Sequence, residues 1–325
     1  MAGCEFAEDP NPAVRGTTLY PAKGSACMKE TAVYLPLGHD FLTAKLHVVL
    51  WIHGYYVKSA RDLLEPADSD KDMFLRQNVI STRKDVVLIA PWLGYKYVGG
   101  GSLGLGDLGK GNGCQKYLDE VLKALSRFRR DHAAKAAGNV PGTGEPPALA
   151  IESLAVAGHS AGGAMMRDAV AALGDQRSSL KECWGFDCLY DDLWPGWVTS
   201  SALSDVKLYM YFAKGIRGSR VIDLWTKTYG TLKKPRPGGR PRNVFMTPSL
   251  KALGTLVDRT AFQTSEEIQK KTALDDYERL RKAADPLLDS RNPGEYWSKL
   301  SSKLKGHFEV VADVFGPRIG QSASL

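Results

Sequence analysis

The sequence predicts a three-layer α/β protein with a mostly parallel central sheet and helices on both faces. Three apolar runs carry this prediction: one from Leu46 to Tyr55, one from Val86 to Trp92, and one from Ser153 to Ala157. None of them alternates with polar residues, which is typical of strands covered on both faces by helices. Between the runs lie segments with helical spacing of apolar residues, so strand and helix follow each other in βαβ order.

The helical segments and the remaining strands extend this order along the chain. Residues Ser59 to Arg83 mix charged and apolar residues as a crossover would, and Gln115 to Ala134 carries an apolar stripe at helical spacing. A helix is also predicted from Ala161 to Leu173, directly after the third apolar run. Three further strands are predicted at Trp184–Leu189, Lys207–Ala213 and, more weakly, Asn243–Met246.

The two ends of the chain are less regular. Residues 1–30 are rich in Pro, Gly and charge and predict an N-terminal arm, followed by an edge strand at Thr31–Leu35. We expect residues 31–325 to form a single domain, because an α/β domain of this length commonly stays undivided. Its inserted, cap-like helical region would span about 216–300.

Composition limits the classes of protein that need to be considered. No run of about 18 apolar residues occurs, so no membrane-spanning helix is predicted. The N-terminus lacks the features of a signal peptide. The five cysteines leave one unpaired in any disulfide scheme, and their spacing is not that of metal ligands. We therefore predict a cytoplasmic protein without a metal. A mature secreted form remains open, with Cys4–Cys27 or Cys183–Cys188 as disulfides.

The motif that points to function is Gly158-His159-Ser160-Ala161-Gly162, which fits G-x-S-x-G. It stands between a predicted buried strand and a predicted helix, where a strained turn would lift the serine hydroxyl above the sheet. Glycines two residues before and after the serine allow strand and helix to approach without a Cβ clash. The start of the helix adds backbone N–H groups where negative charge develops.

GHSAGG after a strand, preceded about a hundred residues earlier by WIHG, resembles the α/β-hydrolase superfamily. The resemblance covers roughly Leu46 to Phe308 and implies that Ser160 is a nucleophile. A serine hydroxyl needs a base that removes its proton. In this fold the chain order is serine, acid, histidine, and of the six histidines only His307 follows Ser160. His307 is therefore the predicted base.

The acid that orients the histidine is predicted to be Asp187. The strand Lys207–Ala213, where the superfamily commonly places its acid, is followed by Lys-Gly-Ile-Arg without a carboxylate. Asp187 lies at the end of the preceding strand, a position that some lipase-like members use. Asp191, Asp192 and Asp223 remain alternatives. Asp191 and Asp192 also fit a helix N-cap.

Backbone N–H groups are expected to form the oxyanion hole, because they are fixed in place. Ala161, the residue after the nucleophile, should provide one. The resemblance implies that the second comes from the loop after the first buried strand, with Tyr55 preferred over Tyr56. Four residues are predicted to border the substrate cleft or shape its turns: His53, Tyr56, His159 and Trp92.

These residues predict a serine hydrolase of carboxylic esters that uses an acyl-enzyme and no cofactor. Its partner would be a small-molecule or polymeric acyl substrate, and the oligomeric state is not predicted. Hydrolysis of amides or peptides is the alternative on the same fold, and a non-catalytic binding protein of this fold is another.

Gly104-x-Gly106-x-x-Gly109 matches a dinucleotide fingerprint, but the preceding strand ends too early for the tight turn such a site requires. The basic segment Lys233–Arg242 lacks interleaved aromatic residues, so it predicts a solvated loop rather than a nucleic-acid site.

Overall fold

The computed structural model describes ten stretches of the chain: residues 3–9, 15–55, 57–65, 72–94, 106–140, 146–190, 194–198, 200–213, 244–248 and 306–325. The predicted insertion at about 216–300 lies outside them except for one strand. The basic segment 233–242, Tyr56, Asp191, Asp192 and Asp223 also lie outside the described residues.

The described residues form a sheet of nine strands. The strands are β1 (Phe6–Glu8), β2 (Thr17–Pro21), β3 (Thr31–Leu35), β4 (Lys45–Ile52), β5 (Val86–Pro91), β6 (Ala150–His159), β7 (Leu180–Phe186), β8 (Lys207–Phe212) and β9 (Val244–Pro248). Their order in the sheet is β1-β2-β3-β5-β4-β6-β7-β8-β9. The five pairings from β5 to β9 are parallel, and the three that involve β1, β2 and β3 are antiparallel. The mostly parallel sheet predicted from the apolar runs is thus confirmed.

The start of the chain differs from its prediction as an arm. Residues 6–8 and 17–21 form β1 and β2, which extend the sheet beyond β3, so Thr31–Leu35 is an interior strand and not an edge. Strands of three and five residues next to Pro and Gly are too short for a periodic pattern to indicate them. A disulfide joins Cys4 to Cys27. This is one of the two pairs that the sequence offers as a disulfide.

Helices cover both faces of the sheet. The helices among the described residues are α1 (Ala60–Leu64), α2 (Leu75–Ser81), α3 (Gly113–Ala136), α4 (Gly162–Ala171), α5 (Trp194–Val198) and α6 (Glu309–Gln321). Side chains from alternate positions of β4 enter two separate apolar clusters. Val48 and Leu50 pack with α3 and α4, whereas Val49 and Trp51 pack with α1, α2 and α6. This is the three-layer arrangement predicted from the sequence.

The last helix, α6, is attached to the rest of the protein by buried polar contacts. The Asn78 side chain of α2 donates to the Ala312 carbonyl at 3.1 Å and accepts from the Gly316 amide at 2.9 Å. On β7, the fully buried Glu182 carboxylate accepts from Ser322 at 2.8 Å and forms an ion pair with Arg318 at 3.5 Å. These contacts fix the position of α6 against the strands that carry the candidate site.

Replacing Glu182 by alanine is expected to destabilise the protein by about 3 to 5 kcal/mol, because Arg318 would remain as a buried charge without its partner. The measurement is the free energy of unfolding from urea titration. The double variant Glu182→Leu with Arg318→Met is the control. It should recover the part of the loss that comes from the unpaired Arg318 charge, but not the part that comes from Ser322 and Trp184, which both lose their acceptor. A loss below about 1 kcal/mol in Glu182→Ala would show that the ion pair does not hold α6 in place.

Among the described residues, no helix combines the length and the apolar character of a membrane-spanning segment. No group of three or more His, Cys, Asp or Glu side chains in that part of the chain could hold a metal ion. Cys183 and Cys188, one of the two predicted disulfide pairs, are both buried and are not joined by a disulfide.

Candidate functional site

The candidate site lies at the edge of the sheet where three neighbouring parallel strands end. In the register of the sheet, Ile52 at the end of β4 pairs with Gly158 of β6, and His159 pairs with Phe186 at the end of β7. Ser160 and Asp187 follow β6 and β7 directly. Ligands of open parallel sheets bind beyond such carboxyl ends.

Ser160 stands in a strained turn between β6 and α4. Its φ is 55°, in the left-handed region that non-glycine residues rarely adopt, and its amide donates to the Phe186 carbonyl at 3.0 Å. The turn depends on close approach of the backbone. A Cβ at Gly162 would lie 2.3 Å from the Ile52 carbonyl oxygen, and a Cβ at Gly54 would lie 2.7 Å from the Ser160 Cβ. Glycine is therefore required at both positions.

Asp187 is held rigidly at the end of β7. It is fully buried, its φ is 45°, and its amide donates to the Tyr211 carbonyl of β8 at 2.7 Å. One carboxylate oxygen, Oδ1, accepts from the Ala213 amide at 3.0 Å. The other, Oδ2, lies 2.6 Å from Nδ1 of His307. Both oxygens of this buried carboxylate therefore have hydrogen-bond donors, as a buried charge requires.

His307 lies just before α6, and a second histidine supports its backbone. Nε2 of His159 donates to the His307 carbonyl at 2.9 Å, and the two ring centroids are 4.4 Å apart. Burial, and next the charge of His307, lower the pKa of His159 well below its usual value. His159 is therefore neutral near pH 7 and donates a single ring N–H.

His53 arranges the loop after β4. Its Nδ1 donates to the Gly54 carbonyl at 2.5 Å, and its Nε2 accepts from the Leu93 amide at 2.8 Å. Burial lowers the pKa of His53 to about 4, so the neutral ring can act both as donor and as acceptor. Carbonyl and N–H of one trans peptide point in opposite directions. With the Gly54 carbonyl held by His53, the Tyr55 N–H must point away from the His53 ring.

The structure places the other predicted residues as follows. Ala161 is the N-cap residue of α4, immediately after Ser160. Tyr55 is exposed. Trp92 is half-buried and donates its indole N–H to the Val57 carbonyl at 2.8 Å, and this hydrogen bond joins the loops after β4 and β5. His53 and His159 are buried beneath Ser160, where their rings bind backbone groups.

Tyr190 is a residue of this site that the sequence did not indicate. Its hydroxyl lies 3.4 Å from Oδ2 of Asp187 and 3.5 Å from Nδ1 of His307. No motif marks a lone tyrosine after a strand, so only the folded arrangement reveals it.

The described residues of the glycine-rich fingerprint, which include Gly106 and Gly109, do not lie in a strand-to-helix turn. β5 ends at Pro91, residues Gly106–Gly109 form a three-ten helix, and α3 begins only at Gly113. A dinucleotide site needs a tight turn from strand to helix so that the helix N-terminus faces the phosphates. The described residues of this segment do not provide that turn.

The order of the strands, the helices on both faces and the turn at Ser160 together define the α/β-hydrolase fold. No protein-family model and no curated protein matches this sequence.

Solved structures similar to this chain include several esterases, all at low sequence identity. A feruloyl esterase module from Clostridium thermocellum is 10% identical, with 65% of this chain and 74% of that chain covered and a TM-score of 0.36. A putative acetyl xylan esterase from Bacteroides fragilis is 13% identical, with 76% and 69% covered and a TM-score of 0.37. A carboxylesterase from Bacillus subtilis is 9% identical, with 54% and 44% covered and a TM-score of 0.27. We assign the fold from strand order and turn geometry, not from these scores.

Proposed function

We propose that this protein is a serine hydrolase that cleaves carboxylic esters through an acyl-enzyme. The observation that carries the proposal is the 2.6 Å contact between Nδ1 of His307 and Oδ2 of the buried Asp187, beside a serine in a strained turn. Strained residues cluster at active sites, where the surrounding structure must hold them. Of the four described non-glycine residues with positive φ, two are Ser160 and Asp187.

The contact between His307 and Asp187 supports the following roles. Donation of Nδ1–H to Asp187 leaves the lone pair of His307 on Nε2, which accepts the proton as Ser160 attacks the ester carbon. Asp187 stabilises the imidazolium that forms. His307 then protonates the leaving alcohol, and it later activates the water that hydrolyses the acyl-enzyme.

The oxyanion of the tetrahedral intermediate would be bound by the amides of Ala161 and Tyr55. Ala161 contributes from the N-terminus of α4, where the partial positive charge of the helix adds to the hydrogen bond. For Tyr55, the hydrogen bond from His53 to the Gly54 carbonyl supports the assignment, because it sets the orientation of the peptide that carries the Tyr55 N–H. Tyr56 remains the alternative donor.

Ester hydrolysis is preferred over amide hydrolysis because esters are the less demanding acyl substrates. We also retain the prediction of a single catalytic domain with an insertion at about 216–300 that shapes the substrate cleft. Rates on a matched ester and amide with the same acyl group would separate the two activities.

The proposal is tested by labelling the protein with a fluorophosphonate probe and locating the adduct by mass spectrometry. We expect one adduct, on Ser160, because only an activated serine reacts rapidly. Ser153, a buried serine of β6, gives the control: Ser153→Ala should label as the wild type does, and Ser160→Ala should not. Folded wild-type protein that carries no adduct, or an adduct elsewhere, would contradict the proposal.

A further inference from the structure

Tyr190 brings a phenol hydroxyl to the contact between Asp187 and His307. Its amide donates to the Cys188 carbonyl at 2.9 Å, a tight turn after β7. The ring stands at 78° to the His307 ring, with 6.4 Å between the centroids. The Tyr190 side chain therefore contacts two members of the proposed triad, Asp187 and His307.

The hydroxyl has one proton to donate, and Oδ2 of Asp187 is the carboxylate oxygen within its reach. Burial, and next the Asp187 charge, raise the pKa of Tyr190, so the phenol keeps its proton throughout the neutral range. Tyr190 is therefore a second donor to the oxygen that faces His307.

The Tyr190 hydroxyl competes with His307 for one carboxylate oxygen. Oδ2 of Asp187 lies 2.6 Å from Nδ1 of His307 and 3.4 Å from the Tyr190 hydroxyl. A second donor on the same oxygen withdraws part of the negative charge that stabilises a protonated imidazole. The titratable side chains that face His307 among the described residues are Asp187, Tyr190 and His159.

We propose that Tyr190 is a positioning residue of this site: its hydroxyl shares the Asp187 carboxylate with His307 and fixes the orientation of this pair. The proposal rests on the proposed hydrolase function. Loss of the hydroxyl should leave the pair of His307 and Asp187 less well oriented, which lowers kcat, and should leave KM unchanged because the ring remains. It should also move the acidic limb of kcat/KM to higher pH, because the full carboxylate charge then favours protonated His307.

The test compares Tyr190→Phe with Tyr20→Phe in hydrolysis of a soluble aryl ester across the pH range. Tyr20 lies on the remote strand β2, and its hydroxyl is without a hydrogen-bond partner among the described residues, so its loss should change neither kcat nor pH profile. For Tyr190→Phe we expect kcat to fall about tenfold with the shift of the acidic limb. Unchanged kcat and an unchanged pH profile would overturn the proposal.

Proton NMR of the free protein provides a readout that does not depend on hydrolysis. The His307 Nδ1–H resonance should move further downfield in Tyr190→Phe, because Asp187 then accepts from this donor alone at Oδ2. Wild-type protein that neither hydrolyses the ester nor reacts with the fluorophosphonate probe would contradict the proposed function. A chemical shift of the His307 Nδ1–H that is unchanged in Tyr190→Phe would contradict the role of Tyr190 alone.

Discussion

Replacing Ser160 by alanine is expected to lower kcat for ester hydrolysis by about a million-fold, with KM nearly unchanged. The reason is that the acyl-enzyme cannot form without the hydroxyl, whereas the residues that bind substrate remain. Replacement of His307 by alanine should cost about as much, because an unactivated serine is a poor nucleophile at neutral pH. The measurement is the steady-state rate on a soluble aryl ester.

The double variant Ser160→Ala with His307→Ala makes this prediction more specific. Groups that act as one unit are strongly non-additive, so the double variant should be no slower than either single variant. Losses that multiply would mean that the two side chains act independently and would contradict the proposed roles. Retained folding is checked by the unfolding free energy of each variant, which should stay within about 1 kcal/mol of the wild type.

Replacing Asp187 by asparagine is expected to lower kcat by about ten-thousand-fold without unfolding the protein. An amide has the same size, tolerates the left-handed φ at this position and can still accept from the Ala213 amide. Its NH₂ group, however, faces Nδ1 of His307 as a donor. The neutral ring must then carry its proton on Nε2, where it cannot accept the proton of Ser160.

A surface carboxylate provides the control for this prediction. Asp205 forms an exposed ion pair with Arg177, so Asp205→Asn should leave kcat and KM as in the wild type. Asp187→Asn should keep the wild-type urea midpoint while losing activity. An activity within tenfold of the wild type would show that another carboxylate orients His307.

Several features of this protein could be predicted from the sequence because they depend on neighbouring residues. A continuous apolar run such as Val86–Trp92 indicates a buried parallel strand, whatever packs against it. Likewise, the turn at Ser160 needs glycine at fixed offsets, and these glycines are visible in the motif. The same reasoning did not detect β1 and β2, whose few residues do not form a pattern, and it therefore placed β3 at the edge of the sheet.

Contacts between distant residues were decided only by the tertiary structure. A charged residue such as Glu182 argues against a buried strand at Leu180 when only the neighbouring residues are considered. Its hydrogen-bond partner Ser322 lies 140 residues away, so no local pattern reveals how this carboxylate is satisfied. The hydroxyl of Tyr190 likewise meets His307 across 117 residues. Sequence order alone left four carboxylates as candidates, and the fold brings Asp187 to 2.6 Å from His307. Residue type and local spacing thus determined which chemistry was available, whereas the packing of α6 and β7 determined which groups meet, since hydrogen bonds act only over a few ångströms.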